Sequence, residues 1–331
     1  MPTGYEGSLY ILAFDHRGSF QKKFFGIEGA PNEEQTETIS DAKRVIYEGF
    51  RTALEKGAPA DSAGILVDEQ FGGDVPKEAV KDGLILAMPV EKSGQNEFDF
   101  DYGDDFGTHI EEFNPTFSKV LVRYNPEGDQ EMNERQTARL KRLSDWLQDH
   151  EPRFLFELLV PGEESQLKKV GGDIDRYDKE IRPNLMLQAI KELQEAGVEP
   201  DIWKIEGIDT KADCERIAQQ ARSGGRDNVA CVVLGRGADD KAVEHWLRKG
   251  SGVPGYIGFA IGRTIWWDSL KAYVDGKLQR EEAASRIADK YRHFIDVYSS
   301  TRERRSGSSR RSRQVKWGTG LALCRRAARP I

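Results

Sequence analysis

Cysteine is scarce, with three in 331 residues: Cys214, Cys231 and Cys324. Their spacing suits neither a disulfide framework nor a metal knuckle and points to a reducing, cytoplasmic setting. Histidine is scarce too, with five. No His/Cys/carboxylate cluster falls at ligand spacing, so no bound metal and no other cofactor is expected. Long apolar runs are missing: none approaches the ~18 residues of a membrane span, and no membrane partner is expected. The first ten residues lack a basic stretch followed by an apolar one, so no secretory signal is expected. No Gly-x-Gly-x-x-Gly follows the first apolar run, which weighs against an open dinucleotide-binding sheet, the runner-up architecture. No strong internal repeat is present.

What is present is charge, unevenly spread. Charged residues make up 32% of the chain and hydrophobic ones 38%. Residues 301–331 hold ten Lys/Arg and one acid, or +9. With −7 overall, the first 300 residues therefore carry −16. An acidic body argues against nucleic acid as the main partner. The segment 301–331, rich in Arg, Ser and Gly, reads as a disordered basic tail beyond one domain over 1–300. Nothing fixes an oligomeric state, and a homo-oligomer is left open.

Short apolar runs alternate with longer amphipathic ones. Strands are expected over Leu9–Phe14, Gly64–Val67, Leu84–Met88, Lys119–Val122, Phe154–Leu159, Ile202–Ile205, Val229–Leu234 and Tyr256–Ala260. Helices are expected over Glu34–Glu55, Pro76–Lys81, Asn133–Leu147, Asn184–Ala196, Lys211–Ala221, Asp239–Lys249, Thr264–Val274 and Arg280–Tyr298. Eight strands, nearly all followed by helices, predict a closed (β/α)8 TIM barrel. Two segments break the alternation, Glu91–Pro115 and Pro161–Pro183. Loops of that length carry function or are mobile, and in a barrel they would lie over the active face.

Chemistry in such a barrel sits at the C-terminal strand ends. Those ends read Phe14-Asp15-His16-Arg17-Gly18, Val67-Asp68-Glu69-Gln70, Leu234-Gly235-Arg236-Gly237 and Ala260-Ile261-Gly262-Arg263-Thr264. Any one of these could be a solvated rim. Lys119, Glu157 and Lys204 differ, because they lie within strands. Lys204 sits in the apolar run Ile202-Trp203-Lys204-Ile205, where burial disfavours its charged form. A neutral amine attacks carbonyls, whereas a lysine at a strand edge would only reach up to water. If the three side chains point inward they must pair, either as a structural ion network or as an imine-forming site with its acid/base. Gly235-Arg236-Gly237 and Gly262-Arg263 each place a cation and close-approaching backbone before a helix. That combination suits phosphate at strands seven and eight.

Together with Leu12–Phe20, Ile65–Gly72, Lys119–Val122, Phe154–Glu157, Trp203–Glu206 and Gly262–Trp266, these residues resemble the class I tagatose 1,6-bisphosphate aldolases. They look closer still to the aldolase-like domain fused to 5-dehydro-2-deoxygluconokinase in inositol catabolism. The resemblance spans roughly residues 8–298. It implies Lys204 as the Schiff-base lysine and Glu157 as the proton-transfer carboxylate. It further implies Lys119 as a neighbouring active-site lysine that helps keep Lys204 neutral, Asp15 as a carboxylate beside the reacting carbon and Arg263 as a phosphate ligand. His16 stands where the tagatose enzymes usually carry Gln, and Gly235-Arg236-Gly237 replaces a more Ser/Ala-like turn. Both differences bear on the substrate rather than on the imine.

The implied reaction is metal-independent cleavage of a phosphorylated ketose acid, best matched by 2-deoxy-5-keto-gluconate 6-phosphate. The products would be dihydroxyacetone phosphate and malonate semialdehyde, with Glu157 or Asp15 taking the hydroxyl proton. Arg17, Arg123 or Arg236 would hold the far carboxylate, and His16 and Asp68 complete the expected substrate contacts. Two alternatives stay open: another ketose-phosphate aldolase, including the tagatose-bisphosphate type, and a non-catalytic sugar-phosphate-binding barrel acting as sensor or kinase partner.

Overall fold

A computed structural model describes residues 3–313, with side chains through Thr301. Eight parallel strands close on themselves in chain order, β1 pairing with both β2 and β8. They are β1 Leu9–Ala13, β2 Ala63–Leu66, β3 Ile85–Pro89, β4 Phe117–Arg123, β5 Arg153–Leu159, β6 Ile202–Glu206, β7 Ala230–Leu234 and β8 Tyr256–Ile261. Each lies within a few residues of its expected place.

The helices are α1 Gly18–Phe25, α2 Glu33–Glu55, α3 Glu69–Gly72, α4 Val75–Lys81, α5 Phe106–Phe113, α6 Gln130–Gln148, α7 Glu164–Lys169, α8 Ile174–Arg176, α9 Arg182–Glu195, α10 Lys211–Ala221, α11 Asp240–Gly250, α12 Arg263–Val274 and α13 Arg280–Arg313. Local signals explain their starts. Asn32 and Gln35 form a reciprocal capping box at α2, and the Asp129 side chain accepts from the Met132 amide at α6. Along α2, Ile39, Ala42, Val45, Ile46, Phe50 and Ala53 recur at helical spacing and are buried.

Three expectations need correcting. The breaks at Glu91–Pro115 and Pro161–Pro183 are not bare loops. The first contains a 3-10 turn (Gly103–Asp105) and α5; the second contains α7, α8 and a π-helical turn, Tyr177–Ile181. Helices α1 and α3 were missed, the first because its aromatic-rich sequence has low helix propensity. Helix α13 runs past Tyr298 to Arg313, so the backbone of 301–313 continues the helix. The rest of the expected tail, 314–331, lies outside the described residues.

Side chains alternate across the strands. Trp203, Phe156 and Ile205 point outward into the layer beneath the helices. Leu9, Ile11, Phe117, Leu155, Ile202 and Val232 point inward and fill the lower barrel as a dry plug. One step further along the same inner faces come Lys119 after Phe117, Glu157 after Leu155 and Lys204 after Ile202. The period of two therefore carries each charge onto the plug's upper surface.

Candidate active site

The barrel opens at its C-terminal end into a cavity of about 600 Å³. Glu157 and Lys204 are register partners on adjacent strands, and the Lys204 Nζ donates to Glu157 Oε2 at 2.8 Å. Lys119 is 1% exposed and lies against three carboxylates: Asp15 Oδ2 at 2.8 Å, Glu91 Oε1 at 2.7 Å and Glu157 Oε2 at 3.2 Å. The structure thus gathers all four expected catalytic residues, and adds Glu91. No reading of the sequence singled out Glu91. Its signal was parity: Ala87 and Pro89 pair with Phe117 and Lys119 of β4, and Glu91 continues the same face two residues past the last ladder pair.

The two lysines are not equivalent. Burial would strip the charge from Lys119, but Asp15, Glu91 and Glu157 outweigh it and push its pKa up. Lys119 is therefore a fixed cation. Among the described residues Lys204 has one carboxylate within ion-pair distance, Glu157. Burial pushes the Asp15 carboxyl up, yet Lys119, His16 and Lys204 prevail and hold it well below the usual range. Glu157 is likewise held down, its burial outweighed by Lys204 and Lys119.

His16 lines the cavity, edge-on to Trp266 with ring centroids 5.6 Å apart. Burial, with Arg263, Lys43 and Lys204 nearby, lowers its pKa to about 4 against the pull of Asp15. At neutral pH it is a neutral ring. Arg17 reaches the cavity wall, but its guanidinium is engaged: it donates to Asp101 Oδ2 at 2.7 Å and to the Glu91 carbonyl at 2.5 Å. Arg236 is also committed, 2.6 Å from Asp178 and 3.1 Å from Glu206. It adopts a left-handed conformation with φ 54°, followed by Gly237 at φ 72°. The Arg123 guanidinium donates to the Gln95 carbonyl at 2.9 Å, and among the described residues no carboxylate lies within ion-pair distance of it.

Arg263 is likewise without a carboxylate at ion-pair distance among the described residues. It donates to the Arg236 carbonyl at 2.9 Å, and burial lowers its pKa against the pull of Glu157. Gly262 is required by close approach, because a Cβ there would stand 2.3 Å from the Ala13 carbonyl oxygen. The two Gly-Arg turns differ in one respect. Asp239 caps the first amides of α11 through the Ala242 N–H, whereas α12 has no side-chain cap among the described residues. The anion-ready end is at Gly262 and Arg263.

Two expected substrate contacts are not in the cavity wall. Asp68 is fully buried, pairs with Lys43 of α2, and caps α3 through the Phe71 amide at 2.9 Å. Burial raises its pKa and lowers that of Lys43, driving the pair toward neutrality. It supports the fold rather than the substrate. Gly235 follows β7 behind the lining residues, where a Cβ would press on Ile261 at 3.1 Å. The two interrupting segments do reach the site: Glu91 to Gln95 on one rim, and Pro161, Ile174, Tyr177 and Asp178 on the other. Among the described residues no cluster of three His, Cys, Asp or Glu side chains could hold a metal ion. No helix there is long and apolar enough to cross a membrane.

Fold and site define a closed eight-stranded barrel with a buried lysine–carboxylate cluster at the C-terminal end of its strands. The chain belongs to the family described as "Uncharacterized protein conserved in bacteria (DUF2090)", which it matches over residues 4–302. It is 24% identical over 293 residues to tagatose 1,6-diphosphate aldolase 2 of Streptococcus pyogenes serotype M1, covering 82% of this chain and 84% of that protein. Among solved structures it is similar to the Plasmodium falciparum fructose-bisphosphate aldolase bound to TRAP and an inhibitor. That match has TM-score 0.61 and 14% identity, over 88% of this chain and 91% of the other. An archaeal fructose 1,6-bisphosphate aldolase also matches, with TM-score 0.51 and 14% identity, over 88% and 94%. At that identity the structural likeness speaks for the fold.

Proposed function

We propose that this protein is a class I aldolase, a lyase that cleaves a phosphorylated ketose through a lysine imine on Lys204, without metal. One observation carries the reading. A lysine centred in a buried strand donates to a carboxylate at 2.8 Å, while the second lysine is held as a cation by three carboxylates. Glu157 takes the proton that Lys204 must lose before its nitrogen attacks the substrate ketone, and returns it as the carbinolamine loses water. The iminium then draws electrons from the breaking carbon–carbon bond as a carboxylate of the cluster takes the hydroxyl proton. Protonation and hydrolysis of the enamine release the ketone half. Asp15 faces the reacting carbon, and Lys119 holds Asp15, Glu91 and Glu157 in place. A binding-only barrel has no use for so many buried charges, each costly to desolvate.

The substrate is a sugar phosphate. Arg263, Gly262 and Gly237 bind its phosphate, with His16 beside them. For the other end, Arg17 and Arg236 are committed to carboxylates, which leaves Arg123 at the end of β4, across the ring from β8. A carboxylate there fits 2-deoxy-5-keto-gluconate 6-phosphate, cleaved to dihydroxyacetone phosphate and malonate semialdehyde. The relatives named tagatose 1,6-diphosphate aldolase favour a second reading, in which a second phosphate takes that place. Borohydride reduction in the presence of each ketose phosphate tests both. A mass increase on Lys204 is expected with the true substrate, insensitive to EDTA and absent in Lys204→Arg. An adduct on Lys119, or turnover that EDTA abolishes and zinc or manganese restores, would refute the reading.

A further inference from the structure

Three carboxylates meet Lys119, and two of them have evident work. Glu157 serves the nitrogen of Lys204, and Asp15 holds the cation from the β1 side. Glu91 stands apart. It is 8% exposed and lines the cavity. Its Oε1 accepts from Lys119 at 2.7 Å, but its Oε2 is buried with no hydrogen-bond partner among the described residues. An unsatisfied buried oxygen at a reaction site asks for a ligand group. The backbone of Glu91 is clamped on both sides. Arg17 donates to its carbonyl at 2.5 Å, and a bridge to Phe100 ties it to the returning segment. Such anchoring fixes the carboxyl on the β3 side of the ring, away from Arg263 at β8. With phosphate at Arg263 and the ketone at Lys204, the β3 side is where the aldehyde half of the substrate extends.

We propose that Glu91 is a catalytic residue of the cleavage step, exchanging through Oε2 the proton of the hydroxyl whose carbon becomes the aldehyde. The inference rests on the imine reading above. The O–H bond breaks to Oε2, and the oxygen's electron pair closes the aldehyde C=O. The carbon–carbon bond breaks, and its electrons neutralise the iminium, leaving the enamine on Lys204. In the condensation direction the same proton returns. The acid–base bias agrees with this assignment. Burial pushes the Glu91 carboxyl up, against Lys119 and Arg17, while Asp15 and Glu157 are both held down. A carboxyl whose pKa lies nearer the working pH is the better proton exchanger.

Glu91→Gln keeps the shape and loses the proton chemistry. With 2-deoxy-5-keto-gluconate 6-phosphate and tagatose 1,6-bisphosphate as probes, borohydride-trapped imine on Lys204 should stay within about twofold of wild type. Cleavage by the same variant should fall about 100-fold or more. Glu91→Asp, which keeps a displaced carboxyl, should lose less and retain the pH dependence of kcat that Gln abolishes. Cleavage by Glu91→Gln within severalfold of wild type would refute the role. So would loss of imine and cleavage in equal measure, which would make Glu91 a mere brace for Lys119. Should Glu91→Gln not fold, Glu91→Asp decides alone: a kcat unchanged from wild type would refute the role. Absence of imine in the wild type would instead remove the aldolase reading itself.

Discussion

Lys119→Met puts the electrostatics of the barrel mouth to a direct test. The substitution keeps the side chain's length and apolar stem and deletes one charge. Lys119 is 1% exposed, so its charge is screened by the protein and not by water. Without it, Asp15, Glu91 and Glu157 share one buried space. The nearest remaining cations are Lys204 at 2.8 Å from Glu157 and Arg17 at 3.9 Å from Glu91. Removing one partner from a buried ion cluster costs about 3–5 kcal/mol, because the remaining charges are left uncompensated. A pH dependence must accompany that loss. In the wild type Asp15 and Glu157 are held below the ordinary carboxylate range. Their contribution is therefore complete at neutral pH and fades only below about pH 4, as pH falls toward their folded pKa values. In the variant the crowded carboxylates take up protons on folding, so its stability rises as pH falls from 7 toward 5. Urea denaturation of both proteins at pH 8, 7, 6 and 5 should show a gap of about 3–5 kcal/mol at pH 7–8 that narrows steadily toward pH 5. A gap below about 1 kcal/mol, or one constant across the series, would refute the account of Lys119 as the cluster's fixed cation.

Arg263→Ala removes a charge-assisted contact, so binding of phosphorylated substrate should weaken by about 1.5–3 kcal/mol. The KM of a dephosphorylated analogue should barely move, and equal losses for both would place the phosphate elsewhere. His16 has a folded pKa of about 4 against an ordinary 6.5, so the unfolded chain binds the extra proton between those values and stability falls with pH across that window. His16→Gln should abolish about 2 kcal/mol of the wild-type decline between pH 7 and 5, read by denaturant titration. An unchanged slope would show that the ring is not held neutral.

The barrel was legible because its signals are local and repeated: eight apolar runs, each near its observed strand, separated by helices with identifiable caps. The central charges were legible for a related reason. Lys119, Glu157 and Lys204 interrupt apolar runs, and a charge inside a strand has few affordable places to go. Glu91 gave no such sign. It lies two residues past the end of β3, in a polar stretch, and only the inner-face parity of Ala87 and Pro89 carries it to the cluster. Asp68 misled in the opposite direction. It sits at a strand end, as a catalytic residue would, but Lys43 arrives from α2 and covers it. That meeting of two elements 25 residues apart has no counterpart in local pattern. Arg17 and Arg236 illustrate the same limit: both line the cavity, but their partners Asp101 and Asp178 come from the two interrupting segments.

The charges around the cluster also bear on the imine chemistry proposed for Lys204. Arg17, Lys119 and Lys204 face Asp15, Glu91 and Glu157. A nucleophile that became neutral on reacting would strand Glu157 in a buried site, at a cost of several kcal/mol. An iminium does not do this. Its nitrogen keeps the positive charge of the ammonium it replaces, so the contact with Glu157 survives the covalent step. The attack, the carbinolamine and the enamine stages pass through a neutral nitrogen: in the first two Glu157 itself carries the missing proton, and in the enamine the carboxylate that took the hydroxyl proton does. Lys204→Arg should accordingly fold as well as wild type while forming no adduct, since the arginine preserves the charge that the barrel needs and lacks the amine that the reaction needs.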